Sequence, residues 1–166
     1  MKNVYFLSDA HLGSLAIDHG RMHERRLVRF LDSIKTKAAA IYLLGDMFDF
    51  WYEYRCVVPR GYTRFLGKLS ELTDMGVEIH YFTGNHDIWA YNYLESECGV
   101  ILHKQPLTTE IYGKGFMLAH VPHPLLPGAL LGPASALGHG LRNAVGKAQQ
   151  AEAHEWWRTA LHGRKP

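Results

Sequence analysis

Four short polar clusters, each closing an apolar run, hold the residues best suited to chemistry. They are Asp9-Ala10-His11, Gly45-Asp46 with Asp49 three positions on, Gly84-Asn85-His86-Asp87, and His120. Together they offer carboxylate, imidazole and amide oxygen, a donor mix suited to Mn²⁺, Fe or Zn²⁺ rather than to Ca²⁺. Two such ions ~3.5–4 Å apart can clamp both oxygens of an in-line displacement at phosphorus. A carboxylate is the natural bridge between them, since each of its oxygens can serve one ion, and Asp46 is the residue expected in that place. Taken singly, each cluster has an ordinary reading. Asp-x-His is a common loop, Gly-Asp is turn chemistry, and one histidine at a strand end is usually structural. Four ligand-bearing strand ends in sequence order make coincidence a poor explanation.

The elements that must position these groups follow from the apolar pattern. Residues 2–7 form a β-prone run that gives way to a loop at Ser8-Asp9. Leu27, Phe30, Leu31 and Ile34 follow helical spacing, and so do Phe65, Leu66, Leu69 and Leu72, with Gly76 as a stop. Ala40–Leu44 and Glu78–Phe82 read as the second and third strands, bounded by Gly45 and by Gly84-Asn85. Strand, helix, strand, helix, strand at this spacing predicts βαβ units and a largely parallel α/β sheet. In such sheets functional groups gather at the carboxyl ends of the strands, where all these clusters stand. Beyond them, 109–112 and 116–119 read as a hairpin around Gly113-Lys114-Gly115.

With those residues in hand, the chain resembles the calcineurin-like metallophosphoesterases, block by block: Asp9-x-His11, Gly45-Asp46-x-x-Asp49, Gly84-Asn85-His86-Asp87 and His120. The intervening text is similar to one branch, the UDP-2,3-diacylglucosamine hydrolases of lipid A synthesis, in their Bacteroidetes-type form. Gly45-Asp46-Met47-Phe48-Asp49-Phe50-Trp51, then Tyr52-Glu53-Tyr54, and later Gly61-Tyr62-Thr63-Arg64-Phe65-Leu66 carry that likeness, which covers about residues 1–120. It implies a four-layer αββα sandwich, a β-sandwich flanked by helices, around a centre of two divalent ions, manganese first, with iron or zinc as alternatives. Asp9 and His11 would hold one ion, Asn85 and His120 the other, and Asp46 would bridge. Hydroxide activated by the metals would attack the α-phosphorus of UDP-2,3-diacylglucosamine, releasing UMP and 2,3-diacylglucosamine 1-phosphate. His86 would stabilise the transition state or protonate a leaving oxygen, oriented by Asp87, while Trp51, Asn85 and His86 are the expected substrate contacts. The place of action implied is the cytoplasm, at the inner membrane face.

The chain also departs from the family. Some enzymes of the branch carry Arg where His86 stands. The family writes His-Gly-Asp at the fourth block, whereas His120 is followed by Val121-Pro122, and no later Gly-His-x-His occurs. Gly138-His139-Gly140-Leu141 has only one of the two histidines. Composition changes at the same point. All nine Tyr and all seven Phe precede His120, five of seven Pro follow it, and residues 121–166 carry five Lys or Arg against two acids. Val121–Gly128 is too rich in proline for a regular helix, and 144–161 is the one stretch there with helical potential. Two domains are therefore expected: 1–120 as the N-terminal part of a phosphoesterase core, and 121–166 as an atypical tail, frame-shifted or truncated, leaving the fold incomplete.

Composition bounds the rest. At 166 residues, 47% hydrophobic and 20% charged, the sequence is that of an ordinary globular domain. A net charge of +2 argues for no nucleic-acid partner. No apolar run reaches a membrane span, and the first residues lack the pattern of a secretory signal. Cys56 and Cys98 match no zinc spacing and read as reduced thiols. Two other functions stay open: a generic phosphodiesterase or nucleotide phosphoesterase with the same metal chemistry, and an inactive remnant lacking the Gly-His-x-His ligands. The sequence carries no signal for an oligomeric state.

Overall fold

A computed structural model describes residues 2–15 and 20–120; the 121–166 tail, with Gly138-His139 and the helix expected over 144–161, lies outside the described residues. The order of elements is β1 (Asn3–Leu7), α1 (Gly20–Ile34), β2 (Ala38–Leu44), α2 (Thr63–Asp74), β3 (Glu78–Phe82), α3 (Tyr93–Cys98), β4 (Ile101–His103), β5 (Leu107–Ile111) and β6 (Lys114–Leu118). The first four strands pair in parallel in the order β1-β2-β3-β4. This is the mixed α/β architecture that alternating strand and helix patterns predict. Of the expected four-layer sandwich, the described residues give this sheet with its helices and, separately, the β5–β6 hairpin.

Residues 2–109 and 118–120 lie in one compact unit, and 110–117 in another. In the first, one apolar core joins helices and sheet. Leu27 and Leu31 of α1, Phe65, Leu69 and Leu72 of α2, and Ile41, Leu43, Ile79 and Tyr81 of the central strands are all fully or almost fully buried. The 3.6-residue spacing in the helices puts their apolar positions on one side, and alternation in the strands puts these four residues on one face.

Two junctions show why the helices start and stop as they do. The N-terminus of α2 is capped from a distance, because the Glu24 carboxylate of α1 accepts the N–H groups of Arg64 (3.0 Å) and Phe65 (3.1 Å). That satisfies donors that a helix end otherwise leaves orphaned, and it sets negative charge at the positive end of the dipole. At the other end Gly76 takes φ +79°, its N–H donates to the Thr73 carbonyl, and the Val77 N–H donates to that of Leu72. This paired closure needs a left-handed residue after the helix, which glycine supplies without strain.

The hairpin turn sits one residue earlier than the sequence suggests. Tyr112 (φ +52°) and Gly113 (φ +76°) are the turn pair, and Lys114 already belongs to β6. Two consecutive left-handed residues match the right-handed twist of the paired strands better than a glycine-flanked three-residue loop. The sequence pattern also passes over α3 and β4, which are six and three residues long and too short to display a period.

Candidate metal centre

Parallel register brings the polar clusters to one edge. Leu7 pairs with Leu43, and Leu44 with Phe82, so the loops after β1, β2 and β3 leave the sheet at the same level. Backbone bonds then stitch the first two together. Asp9 N–H donates to the Gly45 carbonyl (3.1 Å), His11 N–H to that of Asp46 (2.9 Å), and Asp49 N–H to that of Leu12 (2.9 Å).

The side chains converge on Asp46, which is nearly buried. Its Oδ1 accepts the His86 N–H at 2.9 Å, which fixes the carboxylate and leaves Oδ2 to face the imidazoles. Oδ2 stands 3.3 Å from His120 Nε2 and 3.8 Å from His11 Nε2. His120 Nε2 is also 3.1 Å from Asn85 Oδ1, and His11 Nε2 is 3.9 Å from Asp9 Oδ1. Atoms bound ~2.0–2.2 Å from one ion lie roughly 3–3.5 Å apart, and most of these separations fall in or just beyond that range. Among the described residues, two groups have ligand atoms all within 4.8 Å of one another, His11-Asp46-His86 and Asp9-Asp46-His120, and Asp46 is common to both.

The imidazoles are oriented for this. His120 Nδ1 lies 3.0 Å from the Leu44 carbonyl and His86 Nδ1 lies 2.7 Å from the Asp49 carbonyl. A carbonyl only accepts, so each Nδ1 carries a proton, and each Nε2 is the ring atom left to face the centre, where a neutral ring would offer its lone pair to a metal. Asp49 has a role that sequence reasoning missed: its carbonyl sets His86, while its Oδ1 lies 3.4 Å from His11 Nδ1. The Gly45-Asp46-x-x-Asp49 spacing was the available signal.

The backbone is strained where it supplies these groups. Asp9, His11 and Asp46 have φ of +55°, +42° and +53°, a region that side-chain-bearing residues enter at a cost of about 1–3 kcal/mol each. Two glycines leave the space. An alanine Cβ at Gly45 would stand 2.6 Å from the His120 ring, and one at Gly84 would collide with the Asp46 carboxylate.

Two expectations are corrected. Asp87 does not orient His86. It is fully buried, and its carboxylate accepts the N–H groups of Met47 (3.0 Å) and Gly84 (2.6 Å) and the hydroxyl of Tyr81 (2.6 Å). Burial, with the negative Asp87 beside it, pushes the Tyr81 phenol well above its usual range, so it remains a donor. Asp87 is thus a brace tying the third loop to the second. Trp51 is not an open substrate wall either. It is fully buried, stacked on Phe48 with ring centroids 4.4 Å apart, and its Nε1 donates to Glu53. Phe50 (57% exposed) and Trp89 (40% exposed), 5.9 Å apart, face outward nearby, as does Tyr52.

No family model matches the chain. A curated UDP-2,3-diacylglucosamine hydrolase from Porphyromonas gingivalis is 56% identical over 117 residues, which is 70% of this chain and 45% of that protein. The chain is similar to the UDP-2,3-diacylglucosamine hydrolases. Another hydrolase of that name, from Nitrosococcus oceani, is 29% identical over 118 residues, 70% of this chain and 45% of its own length. The chain thus spans about half the length of the curated hydrolases it matches. A solved E. coli phosphoesterase, Yfce, overlaps 78% of this chain and 59% of its own with a TM-score of 0.42 at 20% identity, a likeness on which nothing rests. Among the described residues no helix is long and apolar enough to cross a membrane.

Proposed function

We propose that residues 1–120 are the N-terminal part of a dinuclear metallophosphoesterase core that hydrolyses the pyrophosphate bond of UDP-2,3-diacylglucosamine, releasing UMP, with residues 121–166 a separate piece of chain. The observation that carries the reading is the sharing of Asp46 Oδ2 between the two imidazole faces. Asp9, His11, Asp46, Asn85 and His120 are the ligands of this reading, and the nitrogen–oxygen donor set suits two divalent ions, with manganese the first choice. Bound there, such ions polarise phosphoryl oxygens and lower the pKa of water.

The chain's own groups supply the remaining tasks. Asp46 fixes the spacing of the two sites through the His86 N–H. With its Nδ1 proton engaged by the Asp49 carbonyl, His86 turns Nε2 toward the centre, where, with a proton on that nitrogen as well, it would donate to a phosphoryl oxygen or to the leaving oxygen. Phe50, Ile88 and Trp89, exposed and next in sequence to Asp49 and Asp87, offer apolar surface to acyl chains and to the inner membrane face.

The test is Mn²⁺-dependent release of UMP from UDP-2,3-diacylglucosamine, with Asp46→Ala as control. Release that requires both Mn²⁺ and Asp46 supports the reading. Turnover of a small chromogenic phosphodiester, with none on the lipid nucleotide, would replace the substrate and keep the chemistry.

A further inference from the structure

A cavity with three arginines in its lining lies in the same compact unit, and none of the residues clustered around Asp46 lines it. It has a volume of about 260 Å³ and is lined by Arg21, Arg60, Arg64, Glu24, Tyr62 and backbone that includes Gly61. We infer that it is a binding site for a phosphate-class anion. Three arginines and one carboxylate line it, so its described walls carry a net charge of about +2 when all four groups are ionised.

Glu24, the one acid among the described lining residues, cannot neutralise all three. Glu24 Oε1 is occupied by the N–H groups of Arg64 and Phe65, and its Oε2 reaches the Arg64 guanidinium only at 3.9 Å. Arg21 and Arg60 make no ion pair with any described residue. Arg21 and Arg64 also stand in the first turns of α1 and α2, and neither helix carries an acid in that turn. A cation at a helix N-terminus opposes the dipole, so Arg21 at the start of α1 raises the positive potential, while the Glu24 carboxylate offsets the start of α2. A guanidinium offers a planar fork of donors matched to phosphate oxygens.

Tyr62 adds a neutral donor. Burial first, then the charges of Asp49 and Glu24, raise its phenol above the usual value, so the hydroxyl keeps its proton. Size narrows the ligand. The cavity is smaller than the ~300–1,000 Å³ of sites for drug-sized ligands, which fits a phosphate head rather than a whole nucleotide. Gly61, with φ +109° and no atom within 4 Å of an added Cβ, leaves one side open for the rest of a phosphate-bearing molecule.

The experiment measures inorganic phosphate binding to the full chain by calorimetry in the presence of EDTA, which removes metal-centre binding. The expected result is one phosphate per chain, weakened roughly tenfold or more by Arg60→Gln and further by the Arg21→Gln/Arg60→Gln pair, the loss of charge-assisted contacts. Arg60→Lys retains most of the affinity, and Asp46→Asn changes nothing. Circular dichroism verifies that each variant is folded; Arg21 and Arg60 are exposed, so both should be. A second arm sediments the chain with phosphatidylcholine vesicles with or without phosphatidic acid. Arginine-dependent sedimentation with phosphatidic acid identifies a lipid as the source of the phosphate, and phosphate binding without sedimentation identifies a soluble one. Lack of saturable phosphate binding together with lack of sedimentation overturns the inference, as does binding that survives the arginine pair or follows Asp46.

Discussion

Asp46 and Asp87 both follow a central strand, both are buried, and they lie 41 positions apart at the same edge of one sheet, yet their surroundings are opposite. Asp87 is closed: its oxygens are taken by the backbone N–H groups of Met47, Phe48 and Gly84 and by the Tyr81 hydroxyl. Asp46 is half open, with one oxygen held by the His86 N–H and the other facing the Nε2 atoms of His11 and His120. The contrast teaches how a buried carboxylate declares its use. A structural one is saturated by donors from the protein, because any unpaired buried donor or acceptor costs stability. Asp46, proposed to hold metal, keeps an oxygen grouped with other potential ligand atoms instead of backbone donors.

Substitutions can break or sharpen this contrast. Asp87→Ala should have the largest effect on stability, about 3–5 kcal/mol, since it leaves several buried donors without an acceptor at once; urea unfolding measures it. If Asp87→Ala proves milder than Asp46→Asn, the assignment of brace and ligand is reversed. Gly45→Ala comes next, at about 1–3 kcal/mol from its left-handed backbone. Because the new Cβ meets His120, it should also weaken metal retention, read by elemental analysis after dialysis.

Glu53 offers a second closed carboxylate as a check. Its Oε2 accepts the N–H groups of Tyr91, Asn92 and Tyr93, and its Oε1 accepts Trp51 Nε1–H. Burial raises its carboxyl pKa, but these four hydrogen bonds outweigh that and hold it below the usual 4.5. A carboxyl depressed on folding stabilises the native chain above the unfolded pKa and loses that contribution as pH falls through the folded one. Wild type should therefore lose stability below about pH 4.5 more steeply than Glu53→Gln. At neutral pH that variant should be less stable by about 1–2 kcal/mol, measured by denaturation at stepped pH. Smallest of all, Asp46→Asn in EDTA should shift stability by no more than about 0.5 kcal/mol, because Asn keeps an oxygen for the His86 N–H. Its divalent-ion content should nevertheless fall well below that of wild type.

Much of this arrangement was legible in the sequence. Apolar runs ending in Asp9, Gly45 and Gly84 located the strands, and the parallel pairing they implied is what brings the clusters to one edge. The direction of each side chain was not legible. Phe50 and Trp51 are adjacent and equally apolar, yet Phe50 faces solvent and Trp51 the core, because the loop's backbone path decides which ring turns inward. Asp87 follows His86 in a motif that reads as a catalytic pair, and only the tertiary fold reveals that its partners are Met47, Tyr81 and Gly84. Asp49 was visible as part of a spacing, but its carbonyl acts through His86, which no pattern of side chains announces. The turn at Tyr112-Gly113 was missed because a tyrosine in left-handed backbone runs against its preference, and the twist of the paired strands overrides it.

The left-handed conformations of Asp9, His11 and Asp46 carry a further consequence. A chain selected only to stay folded would drift toward glycine at those three places, since each such exchange relaxes the local torsion. Carboxylates and an imidazole that stand where glycine would be more comfortable are a standing thermodynamic burden. That makes these positions the natural first choice for anyone wishing to trade the chemistry of this protein for robustness.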